Sequence, residues 1–328
     1  MSFIAVLLAL LLEQARPLGR GNPVHASLRA WVRWSTRNFD AGQSFHGWLA
    51  WGFAVGGPSL ASLAIYWLLD AFLGWPAAMI WSVAVLYATL GFRQFSFHFT
   101  QIRDALADAD EERARELLAS WQQTDASDLP RSEIVRHVIE HSVLSAHHHV
   151  FGVLAWFSVL AAFGFGPAGA LLYRLSEFVA RYWQHKSNTH HQPVSEALQQ
   201  TATDAWVAID WVPARITAIS FAVVGSFEEA IDGWRNYEPR FEGDNDGIVL
   251  AATSGAVNIR LGGPVNQAVF PVDGTRAVPQ GTTGVPNEST AGQTPELAHL
   301  AVIVGLVWRT VVMWMVLLAL LTLARLLG

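Results

Sequence analysis

One segment narrows what this chain can fold into more than any other: residues 204–225, DAWVAIDWVPARITAISFAVVG. It is apolar enough to sit in a bilayer, yet it carries Asp210, Pro213 and Arg215 near its middle. An ionisable side chain inside a membrane segment is costly and rarely faces lipid, so it marks a protein interior or a water-filled cavity. Pro213 lacks a backbone donor and is expected to kink or break a helix there. Asp210 and Arg215 are five apart, off the spacing that pairs charges on one helix face. Each is therefore expected to turn to a partner on another segment, unless the helix breaks between them. An interfacial helix with both charges in water is the alternative that the residues leave open.

Composition extends that constraint to the whole chain. Apolar types make up 52% of the 328 residues and charged types only 15%, where a soluble domain carries roughly a quarter charged. The 15 tryptophans suit the amphipathic level of a membrane interface. Lys186 is the only lysine, an arginine bias that reads as genomic. A net charge of −6 leaves no electrostatic footprint for nucleic acid, which is excluded as a partner. With no cysteine there is no disulfide, thiolate nucleophile or thiolate metal site.

Along the chain, residues 3–12 form a short apolar run ending at Glu13. Lacking a positive n-region and a small-residue cleavage site, the run reads as an uncleaved first helix. Residues 16–37 carry five arginines and read as a cytoplasmic loop. Residues 48–73 and 76–92 predict a transmembrane hairpin around Gly74-Trp75-Pro76, with Gly56-Gly57-Pro58 bending its first arm. Residues 104–121, DALADADEERARELLASW, predict one soluble amphipathic helix. After a loop at 124–130, a helix starting at Ser132-Glu133 runs through His147, His148 and His149 into apolar residues 150–163. Gly164-Phe165-Gly166-Pro167 then breaks the run before residues 168–183. That stretch is either a span with a re-entrant return or two short tilted helices. Residues 184–200 read as a polar loop containing His185, His190 and His191, and residues 266–293 as a flexible loop. Residues 297–327 predict a last transmembrane helix in which Arg309 faces the bundle and finds a carboxylate, such as Asp210 or Asp70.

The expected fold is all-α: a polytopic membrane helical bundle of roughly five spans or half-spans, at about twenty residues each. Its parts are N-terminal membrane helices (1–94), a cytoplasmic helical insert (95–149), a central membrane region (150–225), a Gly/Pro-rich loop region (226–296) and a C-terminal transmembrane helix (297–328). Membrane lipid is accordingly an expected partner, while no cofactor is identifiable.

Two constellations carry candidate chemistry. His137, His141 and His148 fall at i, i+4 and i+11, one face of a continuous helix, where imidazoles can ligate a borderline metal. A polar interfacial rim is the plainer reading of those histidines. Arg136 and Glu140 stand at salt-bridge spacing beside them. Arg260 precedes Leu261-Gly262-Gly263-Pro264, in which Gly262 and Gly263 permit close backbone approach and the arginine suits an anionic ligand. A Gly-rich turn without a ligand remains the alternative.

Three segments in order resemble the CobD/CbiB family of cobalamin-biosynthesis membrane proteins. IDWVPARITA at 209–218 is similar to the family's Pro-Ala-Arg-Leu-Thr-Ala segment. NDGIVLAATSGAVNIRLGGP at 245–264 resembles its Asn-x-Gly, Ala-Ala-x-x-Gly-Ala and Arg-Leu-Gly-Gly-Pro run. The helix at 104–121 followed by DLPRSEIVRHVIEHSV matches the layout before the family's main acidic motif, and Asn22-Pro23-Val24 resembles a His-Pro-Val element. The resemblance implies a polytopic bacterial inner-membrane synthase. Such an enzyme joins an aminopropanol (or its phosphate) to a carboxylate of adenosylcobyric acid, with ATP supplying activation. It implies a ligand set of Asp210, Arg215, Asn245, Gly247 and Arg260 for a corrinoid or other anionic small molecule, with Glu140 as the catalytic carboxylate. The chain departs from the pattern where Val143-Leu144-Ser145 replaces Ala-Glu-Asn, His148-His149 replaces Asp-Gly, and EFVARY at 177–182 replaces Asn-Thr-Leu-Asp-Ser-Met. Those changes remove carboxylates suited to a magnesium–phosphate complex. They bring the chain toward the AmpE membrane proteins linked to β-lactamase regulation, which it also resembles at LLEQ, ARYW and DWVPARI. That second resemblance implies a non-catalytic sensor or accessory protein.

Overall fold

The computed structural model describes residues 2–16, 23–40, 42–122, 126–189, 194–237, 243–262 and 290–327. Among these residues the chain forms twelve helices. They are α1 (Ser2–Ala15), α2 (Pro23–Phe39), α3 (Ser44–Leu73), α4 (Trp75–Thr89), α5 (Phe92–Ala107) and α6 (Glu111–Gln122). α7 (Arg131–Ala162), α8 (Ala168–Thr189), α9 (Glu196–Val224), α10 (Phe227–Tyr237), α11 (Asn245–Val257) and α12 (Leu297–Leu327) follow. Helices α3, α7, α9 and α12 are long and apolar enough to cross a membrane, while α1 and α4 are apolar but shorter. The protein is an all-α membrane protein. It divides into two units, residues 1–92, 148–213 and 314–328 in one and 93–147 and 214–313 in the other.

In the first unit, Trp183, Val179, Leu198 and Val32 pack into one buried core, and Trp183 Nε1 donates to Thr36 Oγ1 at 2.9 Å. α3 contains a π-turn at Gly52–Gly56, shortly before Pro58. Pro58 has no N–H for the Ala54 carbonyl, and the wider turn absorbs the missing bond. α3 and α4 meet through Trp81 Nε1, which donates to the Ser62 carbonyl at 3.1 Å. α7 and α8 form an antiparallel pair in which Gly152 lies on Tyr173 and Gly169 on the Trp156 carbonyl. Added Cβ atoms there would come within 2.1 and 2.2 Å of those groups, so any larger residue would separate the helices. Between them Gly164 and Gly166 adopt φ of 82° and 53°, where glycine is favoured.

In the second unit, α10 and α11 touch backbone to backbone at Gly233 against Ala251 and at Gly255 against Glu229. Asp244 caps α11 by accepting from the Gly247 N–H at 3.0 Å, and Asn258 ends it in the left-handed conformation. The segment after α11 is tied to residues 290–293 by Arg260 N–H to the Gln293 carbonyl and Thr290 N–H to the Leu261 carbonyl, both 2.8 Å.

Several expectations need correction. Residues 23–37 of the expected arginine-rich loop lie in helix α2. Val32, Ser35 and Thr36 recur at helical spacing and bury one face while the arginines stay outside. The single helix expected over 104–121 is two. Ala109 turns left-handed (φ 59°), with Asp110 N–H reaching the Ala105 carbonyl and Ala109 N–H the Leu106 carbonyl, a Schellman close. Asp110 then caps α6 by accepting from Arg113 N–H at 3.0 Å. Residues 184–189 extend α8 and α9 begins at Glu196, so the polar loop is shorter than expected. Pro213 does not break α9. The Ile209 carbonyl, which Pro213 cannot reach as a donor, accepts from Trp156 Nε1 at 3.0 Å instead. Arg309 is exposed and finds no carboxylate among the described residues; its Nε donates to the Gly305 carbonyl at 3.2 Å. With no side chain on Gly305, the guanidinium folds back along its own helix.

Candidate functional site

In the second unit a buried charge joins α7 to the Gly-rich segment after α11. Glu140, on α7, has 0% of its surface exposed, and its Oε1 accepts from Arg136 Nη1 at 3.0 Å. The same oxygen accepts from the Gly262 backbone N–H at 2.7 Å, across 122 residues of sequence. Arg136 completes the ring by donating to the Gly262 carbonyl at 3.0 Å, and it also pairs with Glu133 one turn back. The backbone of Gly262 is thus gripped from both sides, in a left-handed conformation (φ 80°) that favours glycine. Charge-assisted bonds of this kind are about twice as strong as neutral ones. Glu140 acts here as a positioning residue for the Gly-rich turn. Gly263 lies outside the described residues.

A second pairing in the same unit joins α9 to α11. Arg215 Nη1 donates to Asn245 Oδ1 at 3.3 Å, and Asn245 is buried at the first turn of α11. Gly247 sits two residues on, where an added Cβ would fall 2.1 Å from the Tyr237 hydroxyl, which itself donates to Asp244 Oδ2 at 2.8 Å. Its glycine therefore serves helix packing at the cap. His147 Nδ1 lies 2.9 Å from Thr217 Oγ1, just beyond Arg215 on α9. Arg260 is exposed and donates to Thr294 Oγ1 at 3.0 Å, turned to the outside of its segment.

The first unit holds Asp210 and His148. Asp210 is fully buried, and its Oδ1 accepts from the Tyr173 hydroxyl at 2.7 Å. His148 Nδ1 is 3.1 Å from Arg181 Nη2. Arginine can only donate, so this nitrogen is the acceptor and the ring proton sits on Nε2. Arg181 also pairs with Glu177 at 2.9 Å, and Arg174 closes on the same carboxylate from the preceding turn. Trp206 packs against both His148 and Tyr173, with ring centroids 5.4 and 5.2 Å away. Asp210 falls in the first unit and Arg215 in the second.

The histidine face expected to hold a metal is not assembled as the spacing suggested. His141 meets Trp121 edge-on at 4.3 Å, while His148 is engaged by Arg181. Among the described residues, neither His137 nor His141 joins a group of three metal-ligating side chains. Glu140 spends one oxygen on Arg136 and Gly262, and Val143, Leu144 and Ser145 at the replaced acidic positions are buried. Tyr173 and Trp206 carry no signal in the sequence, since Tyr173 meets its carboxylate 37 residues away with no local pattern to announce it.

Compared with known proteins, the chain matches the CobD/Cbib protein family over residues 2–270. It is 29% identical to the cobalamin biosynthesis protein CobD of Stutzerimonas stutzeri over 325 residues, 96% of each chain. Identity to the protein of that name from Chromobacterium violaceum is 30% over 187 residues, 55% of each. To that from Mycobacterium tuberculosis it is 27% over 250 residues, 75% of each. No solved structure matches.

Proposed function

The chain belongs to the CobD/CbiB family, and from that membership we propose that it acts in cobalamin biosynthesis as a multi-pass protein of the bacterial inner membrane. The observation that carries this reading is the Glu140–Arg136–Gly262 ring. It ties the position of the family's first acidic residue to the Arg-Leu-Gly-Gly-Pro turn through two hydrogen bonds to the Gly262 backbone, braced by the buried Arg136–Glu140 pair. The reaction we assign is the family's amide joining, in which the amine of an aminopropanol (or its phosphate) condenses with a carboxylate of a corrinoid and water is lost. Arg215, steered by Asn245, supplies the cation for an anionic ligand. Its long side chain is only partly buried, so it has room to exchange the amide for a phosphate or carboxylate.

A second reading has its own observation. Glu140 is sealed at 0% exposure, and the positions of the lost acids are packed as core. That is the pattern of a protein keeping the fold as a non-catalytic accessory, like the AmpE branch. Complementation of a strain lacking the amide-joining synthase separates the two. Rescue that disappears in Arg215→Ala and Asn245→Ala, at undiminished membrane expression, supports the enzyme. Absence of rescue by well-expressed wild-type chain leaves the accessory reading.

A further inference from the structure

α2 carries a basic stripe that nothing among the described residues neutralises. Arg29, Arg33 and Arg37 recur every four residues, so they share one side of the helix. All three are exposed, and among the described residues none has an ion pair or hydrogen bond. The opposite face, with Val32, Ser35 and Thr36, is buried in the first unit, which fixes the stripe outward. The helix is also held against the N-terminal third of an apolar helix long enough to cross a bilayer. Trp31 Nε1 donates to the Phe53 carbonyl in the π-turn of α3 at 3.1 Å, and Phe39 stacks on Phe53 at 4.6 Å. Around that end lie exposed aromatic rings. Trp34 is stacked on Trp31 at 5.1 Å, and Phe45 and Trp48 stand on the first turns of α3. Aromatic rings with apolar bodies and polar edges gather at the headgroup level of a bilayer. A helix with a cationic stripe, flanking tryptophan and an anchored back lies in that interface.

We propose that Arg29, Arg33 and Arg37 form a binding surface for the phosphate headgroups of anionic membrane lipids, with Trp34 at its margin. The chemistry is a row of guanidinium forks spaced one helical turn apart, each matched to a phosphodiester. The stripe fixes which end of α3 faces an anionic leaflet and holds α2 in the membrane plane. Each arginine near an anionic surface contributes about a fivefold gain in association, so the three together contribute on the order of a hundredfold.

The full chain in detergent, titrated with phosphatidylglycerol or phosphatidylcholine and followed by native mass spectrometry, tests this. Wild-type protein retains phosphatidylglycerol at much lower concentration than phosphatidylcholine, and added salt narrows the gap. The variant Arg29→Gln/Arg33→Gln/Arg37→Gln folds with unchanged helicity and melting temperature, because none of the three side chains has a partner to lose among the described residues. It loses the preference. Equal retention of the two lipids by wild-type protein overturns the proposal, as does an undiminished preference in the variant. Displacement of the lipid by millimolar inorganic phosphate overturns the assignment to headgroups in favour of a soluble anion.

Discussion

Replacing Glu140 probes the ring that the proposed function rests on. The carboxylate has no exposed surface, and the Arg136 side chain is 4% exposed, so neither charge can fall back on water. Removing one member of a buried ion pair typically costs about 3–5 kcal/mol. Arg136 keeps Glu133 as a second partner, which places the charge contribution at the lower end of that range. The partly buried Gly262 N–H loses its acceptor at the same time, adding about 1 kcal/mol, the low end of the cost of an unsatisfied donor. Glu140→Ala should therefore destabilise by about 4 kcal/mol. Glu140→Gln, whose amide oxygen can still accept from Gly262, should cost about 2 kcal/mol, the difference between a charged and a neutral acceptor. The assay is equilibrium unfolding of purified protein in mixed micelles followed by helicity, with Arg136→Met, Glu140→Met and the Arg136→Met/Glu140→Met pair closing a double-mutant cycle. The cycle should show a coupling of about 2 kcal/mol or more, because the two side chains share one network. Hydrogen exchange at the Gly262 amide should accelerate in Glu140→Ala while amides in α1 and α4 are unaffected. A Glu140→Ala protein as stable as wild type, or a coupling near zero, would mean that the ring does not hold the Gly-rich turn.

Three more outcomes follow from single contacts. Tyr173→Phe takes a donor from the buried Asp210 carboxylate and should lower stability by about 1–3 kcal/mol in the same unfolding assay; an unchanged midpoint would show that Asp210 does not depend on it. Gly247→Ala forces the Tyr237 ring away from Asp244 and should cost about 1–3 kcal/mol, and less in a Tyr237→Ala background that has no ring to clash; equal losses in both backgrounds would place the strain elsewhere. Trp156→Phe strips the Ile209 carbonyl of its donor and should cost about 1–2 kcal/mol, but less in a Pro213→Ala background where the backbone N–H returns; equal losses in both backgrounds would refute the substitution of one donor for the other.

How much of the fold and the site is legible in the sequence depends on the range over which each residue finds its partner. Arg136 and Glu140 are one turn apart, and their spacing alone announces the pair. The apolar runs that become α3, α9 and α12 are equally plain, since length and hydropathy decide them locally. Asp210 and Arg215 are expected to find partners on other segments, and Tyr173 and Asn245 are those partners. Their identity is not readable, because no periodicity links residues 30 or 37 positions apart on different helices. The break at Ala109 is hidden for a different reason: an alanine in the left-handed region carries no signal in its own propensity, and only the capping by Asp110 explains it. Pro213 misleads in the opposite direction. A proline inside a helix predicts a break only if the carbonyl it abandons stays unsatisfied, and the donor that satisfies it here belongs to a tryptophan 53 residues earlier.

The same contrast bears on function. The CobD/CbiB signature survives where backbone geometry needs it: Gly262 in its left-handed turn, Gly247 under Tyr237, Asn245 in the first turn of α11. At positions where the family resemblance implies acids, Val143 and Leu144 are buried as core. Packing glycines and a buried ion pair preserve a scaffold whether or not chemistry continues on it, so they identify ancestry rather than activity. Arg215 is the residue on which the two diverge. It is partly buried, and its bond to Asn245 is a long one at 3.3 Å. Loss of a purely structural arginine would show as lowered stability, whereas loss of one that binds an anion would show as lost activity at unchanged stability. Dependence of corrinoid amide joining on the Arg215 charge, at unchanged stability, is therefore the measurement on which the enzymatic reading stands or falls.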